Sequence, residues 1–158
     1  MGNIYGYSYE NKEYKNKKRI RKHRKLLKDL FYKIAKEVLG DNWHCVKFRL
    51  SYKKFYSENS SKCSYYLERI TQKKYCVIKL DLESLKRRVY YGYNNGYYNC
   101  RVKRVNPHVV GNRKKARLFV IYHELSHAKQ FFSGKSNRLS LFRKETEADI
   151  FALSKIGG

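Results

Sequence analysis

The sequence predicts a small α+β domain, and three observations carry that expectation. An apolar stripe at three- and four-residue spacing marks a helix over residues 20–39. Short runs of alternating or β-branched and aromatic residues follow and mark about four or five strands. Two further helical runs close the chain, and His123 and His127 stand one turn apart on the first of them. At 158 residues and 42% hydrophobic, the chain has the size and composition of one packed domain.

Residues 1–19 form a Tyr-, Asn- and Lys-rich arm that cannot bury a core of its own, so it is expected to be disordered or ordered only against a partner. The domain proper is expected over 20–158. Its first helix carries Leu26, Leu27, Leu30, Phe31, Ile34, Val38 and Leu39 on one stripe and ends at Gly40. Val46, Phe48, Leu50 and Tyr52 alternate with Lys47, Arg49 and Ser51, as in a half-buried strand. A polar loop over 53–62 leads to strands at 65–70 and 75–80, while 81–86 fits neither class. Residues 88–93 and 97–105 flank Asn94-Asn95-Gly96, a hairpin signal, and Asn106-Pro107 breaks the chain before the next helix. That helix runs from an N-cap at Asn112 to a stop at Ser133-Gly134. The last runs from a cap at Ser140 to Gly157-Gly158.

The chemistry gathers on these two helices. In His123-Glu124-Leu125-Ser126-His127 the imidazoles share a face and can bind one metal ion. Glu124 lies about 100° round the helix, placed to act on an attacking water without being a ligand. Catalytic zinc usually takes three protein ligands. No His or Cys follows His127, and the acids that do follow are Glu145, Glu147 and Asp149. Glu145 and Asp149 are four apart on one helix face, with Glu147 turned away. Glu145 is the better third ligand. Asp149 is then placed to accept the other N–H of a ligand histidine, His123, and fix its tautomer.

H-E-x-x-H followed on a second helix by E-x-x-A-D resembles the gluzincin zinc metallopeptidases, the group that includes the thermolysin-like enzymes. The resemblance covers residues 112–156. It implies a zincin-like fold: an N-terminal backing helix, a small twisted and mostly antiparallel sheet, a metal-binding helix and a C-terminal glutamate helix. It also implies Zn2+ held by His123, His127 and Glu145, with Glu124 as general base, Asp149 in support, and peptide bonds as substrate. In that family an edge strand pairs with extended substrate; residues 75–80 or the hairpin are the candidates here. The lobe that supplies an oxyanion donor in the larger enzymes has no counterpart after Asp149. Arg138, Asn137 and His108 are the candidates for that role.

The charge points outward. Thirty-seven Lys and Arg against 13 acids give +24, an excess that calls for an anionic partner: nucleic acid, an acidic protein surface or a membrane surface. The polyanion-binding candidates are Lys15, Lys17, Lys18, Arg19, Arg21, Lys22, Arg24, Lys25 and Lys28, with Tyr5, Tyr7, Tyr9 and Tyr14 nearby to stack on bases. A second expectation follows, a zincin-fold subunit of a virion or other nucleoprotein assembly with little or no catalysis. The four cysteines show no C-x-x-C spacing and read as reduced thiols. No signal peptide or membrane span is visible, so the expected location is the cytoplasm or a particle assembled there.

Overall fold

The computed structural model describes residues 4–51, 61–81, 89–91, 107–109 and 113–157. The expected loop at 53–62 and the Asn94-Asn95-Gly96 hairpin turn lie wholly or mostly outside the described residues, as does the Asn112 cap.

Helix α1 spans Ile4–Leu39, so it extends back through the arm rather than starting at residue 20. Residues 4–20 contain Gly6 and no Pro. Once the apolar half is nucleated against the core, adding turns backwards costs little. Leu27, Phe31, Ile34, Ala35 and Leu39 are buried. Leu26, expected on the same stripe, is 61% exposed because it lies about 100° from Leu27. Gly40 follows in the left-handed region, and a 3-10 turn leads to the sheet.

Strands β1 (Val46–Ser51), β2 (Lys62–Leu67) and β3 (Lys74–Asp81) form a mixed sheet in the order β1-β3-β2. β1 runs parallel to β3, pairing Val46 with Cys76, and β2 runs antiparallel to it, pairing Tyr65 with Cys76. β3 is therefore the centre of the sheet, and the expectation that 75–80 could be an edge is corrected. Its inward residues Cys76, Ile78 and Leu80 are fully buried, as a central strand requires. β2 stops at Leu67 rather than 70. Glu68 and Lys73 close a tight turn through Glu68 N–H to Lys73 O (2.9 Å), with Gln72 at φ 56°. The Tyr32 hydroxyl donates to Val46 O and accepts from Phe48 N, both at 3.3 Å, tying α1 to the β1 backbone. β4 (Val89–Tyr91) and β5 (Pro107–Val109) pair antiparallel. Pro107 opens β5 rather than only breaking the chain, a position where its missing N–H is tolerated.

Helix α2 (Arg113–Phe132) is the buried centre of the molecule, with every residue from Phe119 to Ala128 buried. It packs against α1, β2, β3 and α3 (Leu141–Ile156). Gly134 (φ 80°) ends α2 in a left-handed residue that a Cβ would strain. Ser140 then caps α3, its side chain accepting from Arg143 N–H at 3.2 Å. This short connection folds the two site helices onto each other. The result is the α+β architecture expected: a backing helix, a small sheet, and two packed helices carrying the histidines and the glutamate. No helix among the described residues is long and apolar enough to cross a membrane.

Candidate metal centre

A helix buried on all sides has no cheap place for polar groups, because each one buried without a partner costs roughly 1–3 kcal/mol. α2 nevertheless buries His123, Glu124, His127 and Gln130, and α3 buries Asp149 beside them. The histidines, Gln130 and Asp149 find their partners in one another, in Glu145 and in Lys144 O.

His123 Nε2 lies 3.0 Å from Glu145 Oε2, and His127 Nε2 lies 3.1 Å from Glu145 Oε1. The two Nε2 atoms are 3.2 Å apart. On the far side of each ring stands an acceptor. His123 Nδ1 is 2.8 Å from Asp149 Oδ1, and His127 Nδ1 is 3.1 Å from Gln130 Oε1. An acceptor at Nδ1 sets the tautomer, so each Nδ1 carries the proton and each Nε2 presents a lone pair. Three lone-pair donors, two nitrogens and a carboxylate, then converge on one point. They repel unless a cation stands among them. In a tetrahedron with metal–ligand bonds of 2.0–2.1 Å, ligand atoms are about 3.3 Å apart. The two nitrogens, 3.2 Å apart, match that spacing, each has its own Glu145 oxygen at 3.0–3.1 Å, and one ligand atom from each residue lies within 4.8 Å of the others. The buried His123, His127 and Glu145 group fits a metal ion by donor chemistry and by distance.

Without a cation, protons meet the same demand for positive charge, and each Nε2–H then donates to Glu145 instead of presenting a lone pair. Burial opposes a charged His123, yet the hydrogen bonds to Asp149 and Glu145 outweigh it and hold the pKa up to about 10. Burial would raise Glu145, but hydrogen bonds from both histidines carry it well below the usual carboxylate range. Glu124 moves the other way. Burial pushes its pKa up, and the charges of His123 and His127 only partly offset that.

Two residues of this centre carry no motif. Gln130 stands one turn beyond His127, and its amide Nε2 donates to Lys144 O on α3 at 3.1 Å, so one side chain orients a histidine and joins the helices. The i, i+3 spacing from His127 was the available signal. Tyr65, inward-facing on β2, stacks on Phe131 of α2 with ring centroids 4.8 Å apart. Burial raises its phenol pKa, and the charges of Glu124 and Glu145 add to the rise, so the ring lies within electrostatic reach of both carboxylates. Nothing local in the sequence joins Tyr65 to the histidines.

The other expected site residues fall elsewhere. Asn137 and Arg138 are exposed on the connection after α2. His108 lies on β5, opposite Tyr90. Lys17, Lys18, Arg19, Arg21, Lys22, Arg24, Lys25 and Lys28 are exposed on α1; Lys15 lies on the same helix, its side chain outside the described set.

No protein-family model, no curated protein and no solved structure matches the chain.

Proposed function

We propose that the chain is a zinc-dependent peptidase of the gluzincin type. The observation that carries this is the convergence of His123, His127 and Glu145 on one buried point, with Glu124 next to His123 on the same helix. A zinc ion held there supplies Lewis-acid polarisation of a carbonyl and lowers the pKa of water. The rest is the work of the chain. Asp149 and Gln130 lock the imidazoles in the tautomer that presents Nε2. Glu124 takes a proton from the attacking water and returns it to the leaving amine; its raised pKa brings it nearer the neutral range in which a general base works best. A purely structural site has no need of that carboxylate. Tyr65 supplies the hydrogen-bond donor for the developing oxyanion. The edge of β2 not paired to β3 offers backbone groups to an extended peptide.

The decisive experiment pairs metal analysis with a cleavage assay on proteins from the native source. Wild type is expected to hold one zinc per chain and His127→Ala to lose it. Glu124→Gln keeps the zinc and cleaves roughly 10²–10⁴-fold more slowly, the range for a lost general base. Equal zinc in wild type and His127→Ala, or wild-type cleavage by Glu124→Gln, would reject the reading.

A second reading, a zincin-fold subunit of a nucleoprotein assembly, is favoured by the net charge of +24 and the exposed cations of α1. It predicts normal assembly and no cleavage in wild type and Glu124→Gln alike.

A further inference from the structure

We propose that the sheet face turned away from α2 is a binding surface for single-stranded nucleic acid. Side chains alternate across a strand, so the register fixes which residues share that face. Val46, Phe48, Cys76 and Ile78 are buried on the inner face. The outer face therefore carries Lys47 and Arg49 of β1, Tyr75, Val77 and Lys79 of β3, and Lys62, Ser64 and Tyr66 of β2.

The outer residues form ordered rows across the strands. Lys62 pairs with Lys79, and Lys79 pairs on its other side with Arg49, a row of three cations. The next row is Ser64, Val77 and Lys47. Beyond it Tyr66 pairs with Tyr75. Lys47, Arg49 and Lys62 are exposed and Lys79 half-buried. Like charges directly opposite one another on a sheet are destabilising. Three in a row is a cost the fold bears without gain unless an anion lies across them. No acid stands at the described register positions from Tyr75 to Lys79 on this face or at their partners.

The tyrosines make the anion a nucleic acid. Tyr66 and Tyr75 stack with centroids 5.1 Å apart and planes at 11°, yet remain 44% and 40% exposed. A parallel aromatic pair on a sheet surface is a platform for bases, which stack on it whatever their sequence. The cation row lies about 13 Å along the strands from this pair, four residues at 3.2–3.4 Å each, within the reach of a few nucleotides of backbone. A duplex keeps its bases stacked on each other and cannot use the platform. An acidic peptide or an anionic membrane would use the cations and leave the rings idle. The triad occupies the opposite side of the sheet, so binding here and chemistry there do not compete for space.

Binding of fluorescein-labelled oligothymidylate and oligouridylate of about twelve nucleotides to the full chain, followed by anisotropy across a salt series, tests the proposal. A duplex of equal length, an acidic peptide and anionic vesicles are the competitors. Tyr66→Ala/Tyr75→Ala is expected to weaken both single strands about tenfold or more, with the salt slope and duplex binding unchanged, because stacking is lost and no phosphate contact is. Arg49→Gln/Lys79→Gln is expected to flatten the single-strand salt slope by about 1.4, at roughly 0.7 per phosphate. Circular dichroism and thermal unfolding check the fold, and Tyr66→Leu/Tyr75→Leu, which keeps apolar cover, replaces the alanine pair if that unfolds. Wild-type binding by the tyrosine variants would overturn the proposal. So would equal losses for single strand and duplex, or displacement by peptide or vesicles that itself requires the tyrosines.

Discussion

His127 and His123 are oriented by different chemistry, an amide behind one ring and a carboxylate behind the other. Gln130 is neutral, so its hold on His127 is the weaker of the two, but it also bonds the α3 backbone through Lys144 O. Gln130→Leu keeps the volume and removes both bonds. The expected result is a metal affinity lower by roughly 10- to 100-fold, measured by chelator competition, with the metal-free fold intact. Affinity equal to wild type would show that His127 needs no partner. In the proposed function Tyr65 belongs to the reaction rather than to metal binding. Tyr65→Phe keeps the stack on Phe131 and removes one hydroxyl. In the peptidase reading kcat falls by about 10²–10³-fold while KM and zinc content hold, as for loss of one oxyanion donor. A fall in zinc content instead would make the phenol a support of the site.

The triad exists because α2 and α3 dock, through buried Ala148, Ala152 and Ile156 and, in metal-free protein, also through charge. His123 has its pKa raised from 6.5 to about 10, so its contribution is complete below pH 6.5 and is lost as pH rises through about 10. Glu145 is lowered from 4.5, so its contribution is complete above pH 4.5 and is lost as pH falls. Raised Glu124 contributes fully below pH 4.5 and adds to the loss as pH rises above it. Chelated protein is therefore expected to melt highest between about pH 4.5 and 6.5, and the gain in Tm on adding zinc should grow above that window. A flat Tm from pH 5 to 9 without metal would contradict it. These helices were also the most legible part of the sequence. Their glycine stops, the Ser140 cap and the i, i+4 pairs are local signals that need no tertiary knowledge. Strand order is not local. The runs at 65–70 and 75–80 look alike as sequences, and only the sheet decides that β3 is central and β2 an edge. Tyr65 was invisible for the same reason. The N-terminal half of α1 failed differently, because a helix that extends from a packed half needs no apolar stripe of its own.

At the scale of the molecule, the charge is arranged rather than merely abundant. α1 is 36 residues, about 54 Å at 1.5 Å per residue, and its buried residues begin at Leu27 among those described. The turns before it carry cations in a fixed helical array, suited to a phosphate backbone, while the outer sheet face carries the tyrosines. On the proposed readings the two surfaces ask for different nucleic acids. A helix of cations has no reason to prefer single strands over duplex, since phosphate contacts position without reading bases. Deleting residues 1–19 removes Lys12, Lys15, Lys17, Lys18 and Arg19, together with Glu10 and Glu13, and leaves Leu27, Phe31, Ile34, Ala35 and Leu39 to hold the rest of the helix on the core. The shortened chain is expected to fold, with circular dichroism reporting only the lost turns. Duplex affinity should fall, and the slope of log K against log salt should flatten by up to about 4 to 5, at roughly 0.9 per phosphate contact. An unchanged slope would mean these five cations touch no phosphate and serve solubility alone. A slope that flattened only after Arg21, Lys22, Arg24, Lys25 and Lys28 were also neutralised would move the contact to the turns beside Leu27.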